Sequence, residues 1–120
     1  MTTITLNDGN KIPAVGFGVF LTPADGPTYD AVRTALDAGY RHIDTAQSYF
    51  NEEEVGNAIV KSGVPREELF VTTKVWIEHY GYEETKKSVY ESLQKLQCNY
   101  IDLMLLHQPF GDYYGAWRAL

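Results

Sequence analysis

Positive charge is scarce in this sequence: ten Lys and Arg face sixteen Asp and Glu, for a formal net charge of −6. No basic run interrupts that balance, so binding to a nucleic-acid backbone has little support. An anionic membrane surface is disfavoured on the same ground. A single cysteine, Cys98, rules out any disulfide within the chain. Flanked by Gln97 and Asn99, it fits no metal or redox motif and reads as a small buried apolar side chain. No apolar run approaches the ~20 residues of a membrane span. The opening residues MTTITLNDGNKI have neither the basic nor the apolar region of a signal peptide. The cytoplasm is the expected compartment.

What is present is ordinary globular composition, 44% hydrophobic and 22% charged over 120 residues, enough for one domain or a piece of one. Alternating residues around Asp8-Gly9 predict a hairpin. After Pro13, AVGFG reads as a short first strand, and TYDAVRTALDAG as a helix with Val32, Ala35 and Leu36 on one face and Gly39 closing it. RHIDT is a second strand. NEEEVGNAIVKSG is a second helix, with Asn51 as N-cap, Glu54 completing an Asn-type capping box, and Gly63 and Pro65 as the stop. LFVTTKVW is a third strand, followed by a helix over YEETKKSVYESLQKLQ with Val89, Leu93 and Leu96 inward. YIDLMLLH is a fourth strand, apolar enough to be buried on both faces. DYYGAWRAL begins another helix, which reaches Leu120 without a cap. Repeated strand–helix units with continuous apolar strands predict a parallel α/β architecture.

The ends of the strands carry the chemistry. Asp44 closes the second, Lys74 the third and His107 the fourth, at separations of 30 and 33 residues. One βαβ step consumes about 30 residues, so the three share one station, the carboxyl end of a parallel strand. Adjacent strands lie ~5 Å apart, and side chains at that station converge. Tyr49, in the loop after the second strand, overhangs the same rim, where α/β barrels and open α/β sheets place their ligand sites. A phenol is a reluctant proton donor near neutrality; an ammonium beside it eases formation of the phenolate. Lys74 is that ammonium, Asp44 its counter-ion, and His107 a hydrogen-bond donor that orients a polar oxygen. Each residue alone has a plainer reading, as a turn residue, a solvated lysine or a surface aromatic.

Other candidates are weaker. GFGVF at 16–20 lacks the third glycine of a dinucleotide fingerprint and reads as a close backbone approach. His42 is expected to be structural, His79 has no partner at ligand spacing, and no metal set is visible. Phe20, Trp76 and Phe110 each follow a strand end, where they either wall an apolar pocket or pack ordinarily.

GYRHIDTAQSYFNEEEVGNAI, LFVTTKVW and SLQKLQCNYIDLMLLHQP strongly resemble the aldo-keto reductase superfamily, across essentially the whole chain. HQPFGDYYGAW looks most like its bacterial and protozoal branch of 2,5-diketo-gluconate reductase-like members. The resemblance implies a (β/α)8 TIM barrel, of which residues 1–120 supply the hairpin and about four βα units, the amino-terminal half of a single domain. It implies a catalytic tetrad of Asp44, Tyr49, Lys74 and His107, and an NADP(H)-dependent reduction of aldehydes and ketones with the proton given by Tyr49. Cofactor contacts would fall on Val19, Phe20 and Asp44. Substrate contacts would fall on Phe20, Tyr49, Trp76, His107 and Phe110. A small carbonyl compound is the expected partner and a monomer the expected full-length state. The family's segment for the cofactor's 2′-phosphate has no counterpart here, so this stretch alone is not expected to turn over. Two alternatives stay open: a non-catalytic binding or regulatory protein on the same fold, and a self-associating half-barrel.

Overall fold

The structure, a computed structural model, describes residues 1–120. Strands β1 (Thr3–Thr5) and β2 (Lys11–Pro13) form the antiparallel hairpin, with Ile4 opposite Ile12. Asp8 holds its turn by accepting from both the amide and the side chain of Asn10. Strand–helix units follow: β3 (Phe17–Gly18), α1 (Pro27–Asp37), β4 (His42–Asp44), α2 (Glu52–Ser62), β5 (Phe70–Val75), α3 (Tyr82–Leu96), β6 (Leu103–Leu106) and α4 (Tyr113–Ala119). The four later strands are parallel and lie in chain order, β3-β4-β5-β6. Successive helices pack on one another, so they form one layer over one face of the sheet. No helix is long and apolar enough to cross a membrane.

Register divides the residues between the two faces. Ile43 pairs with Val71 and turns toward the helices, while Asp44 beside Thr72, and Lys74 beside Leu105, turn the other way. Beneath the helices Ile43, Val71, Val32, Leu36, Val55 and Leu96 are buried in one cluster with Val19. Each fully buried aliphatic side chain of this kind contributes roughly 1.5–3 kcal/mol. Gly56 lets α2 lie against α3: a Cβ there would collide with the Lys95 carbonyl and the Leu96 backbone. At the amino ends of the strands Arg66 clamps the sheet, bonded to Asp102 at 2.6 Å and to the Tyr100 and Leu69 carbonyls. Asp102 also accepts from the Val71 amide at 2.8 Å, which ties β5 to the segment entering β6.

Two local expectations need correction. The buried face of α3 consists of Thr85, Ser88, Ser92 and Leu96, leaving Val89 and Leu93 half-buried. Gln47, in the loop after β4, docks there by donating to the Ser92 hydroxyl and the Ser88 carbonyl, and the Thr85 hydroxyl bonds the His79 carbonyl. Asn51 does occupy the N-cap of α2, but its side chain makes no cap bond. It is drawn instead into a buried network, accepting from the Thr45 hydroxyl and donating to the Val19 and Thr22 carbonyls. Gly63 ends α2 in the left-handed region at φ 75, as its position before Pro65 predicts.

Candidate active site

The site is assembled where β4, β5 and β6 end. Lys74 Nζ donates to Asp44 Oδ1 at 2.6 Å, to the Thr45 carbonyl at 2.9 Å and to the Tyr49 hydroxyl at 3.3 Å. All three ammonium protons are therefore placed, and none is left for a ligand. The lysine side chain is only 12% exposed, and the Asp44 carboxylate, at 34%, offsets its desolvation from the solvent side. Because the phenol oxygen accepts from the ammonium, its own O–H is free to point toward a ligand. The ammonium also lies 4.9 Å from the centre of the Tyr49 ring.

Tyr49 ends a short turn over Gln47–Tyr49, entered from extended Ala46 and left through Phe50 at φ 56. That turn projects the phenol over Lys74 instead of letting the chain pass directly into α2. The His107 ring stands 5.8 Å from that of Tyr49, edge to face, and 5.4 Å from that of Trp76. Desolvation first, and then the Lys74 charge, pull the His107 pKa below its ordinary value, despite the opposing pull of Asp44. The imidazole is accordingly neutral at pH 7. Its Nδ1 lies 3.4 Å from the Ser48 hydroxyl. A neutral ring that accepts from this hydroxyl through Nδ1 would carry its proton on Nε2, where it can donate to a carbonyl oxygen.

Phe20 flanks the group at 5.1 Å from the Tyr49 ring and is 64% exposed, so it offers an apolar wall on the open side. Val19 is placed differently from its neighbour. Its side chain is wholly buried in the core, its amide bonds the Asp44 carbonyl and its own carbonyl accepts from Asn51. The buried Val19 holds the backbone from which Phe20 projects outward. Phe110 is 61% exposed and stands outside the ring contacts that join Phe20, Tyr49, His107 and Trp76. His42 bonds the Thr72 hydroxyl at 3.0 Å and fills the space where a Cβ of Gly16 would lie. The close approach read from GFGVF is thus to a histidine ring. Cys98 is half-buried beside an apolar hollow between α2 and α3, away from the rim.

Three contributors escape a reading by residue type. Ser48, Gln47 and the Thr45 carbonyl all meet the group through bonds that span 29 or more residues. Only their adjacency to Tyr49 and Asp44 pointed to them.

Comparison with known proteins places this geometry in a class. The sequence profile of the Aldo/keto reductase family matches residues 20–120. A glyoxal reductase of Bacillus subtilis is 48% identical over 119 residues, covering 98% of this chain and 43% of that enzyme. The crystal structure of an aldo/keto reductase from Brucella melitensis superposes with a TM-score of 0.95 at 49% identity, over 98% of this chain and 46% of that one. That of a Bombyx mori aldo-keto reductase in complex with NADP gives 0.90 at 40% identity, over 98% and 45%. The chain belongs to the aldo/keto reductase family, and its singly wound α/β layer is part of that family's (β/α)8 barrel. It spans 39–44% of the length of the curated relatives it matches.

Proposed function

We propose that residues 1–120 are the amino-terminal half of one barrel domain and carry the proton-donating machinery of a nicotinamide-dependent carbonyl reductase. The observation that supports this most is the bonding of Lys74, which spends its three protons on Asp44, Thr45 and Tyr49. Such a lysine is held to act on the phenol, not on a substrate. Tyr49 gives its proton to the carbonyl oxygen as the alcohol forms, and Lys74 stabilises the phenolate left behind. Asp44 keeps the ammonium charged. Neutral His107, with its proton on Nε2, binds the same oxygen and fixes its distance from the phenol. Phe20 and Trp76 form the apolar sides that exclude water.

The residues present fit the reactive end of a nicotinamide dinucleotide. Asp44 bonds Lys74 through Oδ1, leaving Oδ2 for a ligand hydroxyl or amide, and exposed Phe20 offers a flat apolar surface. When bound, NADP(H) supplies the hydride. The cofactor's phosphates find no basic cluster at this rim, so their grip is assigned to the remainder of the barrel. The Bombyx mori relative's NADP complex favours that cofactor.

The test is consumption of NADPH by the full-length protein with small aldehydes and dicarbonyls, glyoxal first, with the alcohol product identified. Turnover is expected. Tight NADPH binding with no oxidation across the panel would favour a non-catalytic binding protein on this fold.

A further inference from the structure

We propose that Gln47 is a positioning residue that fixes Trp76, one wall of the carbonyl pocket, relative to Tyr49; this inference rests on the reductase reading. Gln47 opens the turn that ends in Tyr49. Its Oε1 accepts from the Trp76 backbone amide at 2.9 Å. Its Nε2 donates to the Ser92 hydroxyl at 3.2 Å and the Ser88 carbonyl at 3.3 Å. One side-chain amide thereby joins the tyrosine turn, the exit of β5 and the middle of α3.

The Trp76 end of this link answers a local need. Trp76 is the first residue past β5, where the ladder stops and its amide requires another acceptor. Gln47 supplies one, and the backbone so held, at φ −82 and ψ 150, carries the indole to 5.4 Å from the His107 ring. The α3 end is buried: Ser88 and Ser92 are 4% and 1% exposed. Gln47 thus links Trp76 to Ser88 and Ser92 behind the rim. Only a side chain with both an acceptor and a donor at this length makes both links. Loss of Gln47 frees the wall without touching the lysine, the phenol or the imidazole. The expected signature is a change in how well substrates of different bulk are held, larger than any change in turnover.

Gln47→Met keeps length and loses both bonds, while Ser92→Ala cuts only the α3 side. In the full-length protein, amide exchange followed by NMR should show a protected Trp76 amide in the wild type. In Gln47→Met that amide should exchange at least ~10-fold faster, with those of Val71 and Thr73 unchanged. The ratio of KM for a bulky aromatic aldehyde to KM for glyoxal should change by roughly three- to tenfold, more than kcat with glyoxal does. Ser92→Ala should lower Tm yet leave both the Trp76 exchange and the KM ratio near wild type. An unprotected Trp76 amide in the wild type would overturn the proposal without need of any variant. An unmoved KM ratio in Gln47→Met, or an equal shift in Ser92→Ala, would do the same. Absence of all turnover in the wild type would instead remove the reductase reading, and the exchange rate would still decide whether Gln47 holds Trp76.

Discussion

Asp44 ends a strand with a carboxylate that only Lys74, thirty residues on, makes sense of, at 2.6 Å. Asp44, Lys74 and His107 were legible in the sequence because one βαβ step repeats the same station along the chain, and Tyr49 because it lies in the loop that leaves that station. Their helpers were not, since Ser48 and Gln47 look like any polar loop residues until the turn closes. Removing either partner of the ion pair strands the other in a partly desolvated place. Lys74→Met is predicted to abolish reduction, and Asp44→Asn to weaken it less, because water can solvate the freed ammonium. Both act through one phenol, so the double variant should lose much less kcat/KM than the sum of the two losses. Strictly additive losses would reduce Asp44 to a turn residue. His107 gives a second prediction at this scale. With its pKa pulled down by desolvation and Lys74, it takes up a proton at lower pH than an ordinary imidazole. The arm of the kcat/KM profile that reports His107 should therefore fall below the ordinary histidine value of about 6.5, and a His107→Asn profile should lack it.

At the scale of elements, period and punctuation placed the helices well, but which face each buries depended on partners the local pattern does not contain. In α3 the apolar residues Val89 and Leu93 suggested one stripe, but the buried one is Thr85, Ser88 and Ser92, where Ser92 receives Gln47 and Thr85 bonds the His79 carbonyl. Asn51 has the position of a cap and the bonds of a core residue, because Thr45 and the Val19 and Thr22 carbonyls are buried without it. Asn51→Ala should therefore cost more than the ~1 kcal/mol of an ordinary cap, which a urea denaturation series would measure. Gly56 tests the helix layer itself. Gly56→Ala drives a methyl into the α3 backbone and should destabilise by about 1–3 kcal/mol, although alanine is the better helix former. A variant as stable as the wild type would mean that α2 and α3 are not in close contact.

Across the whole molecule, two ends of one sheet have separate tasks: Arg66 and Asp102 fasten the amino ends, and the carboxyl ends hold the ionisable group. Periodicity predicted the parallel order that the strand pairing shows. Between layer and sheet sits Glu52, whose pKa burial raises above its ordinary 4.5 in spite of the bond from Thr73. A raised folded pKa means that the contribution to stability is complete below pH 4.5 and is lost as pH climbs through the folded value. Glu52→Gln, always neutral and still able to accept from Thr73, should escape that loss. The gap between the urea midpoints of Glu52→Gln and wild type should thus widen from about pH 4 to about pH 7, and a constant gap would place Glu52 in water. The measurement closest to the central claim is the turnover of Tyr49→Phe in the full-length protein, with NADPH affinity recorded beside it. Loss of the hydroxyl alone should lower kcat by at least ~100-fold and leave NADPH binding unchanged. Turnover near that of the wild type would contradict the assignment of Tyr49 as the proton donor.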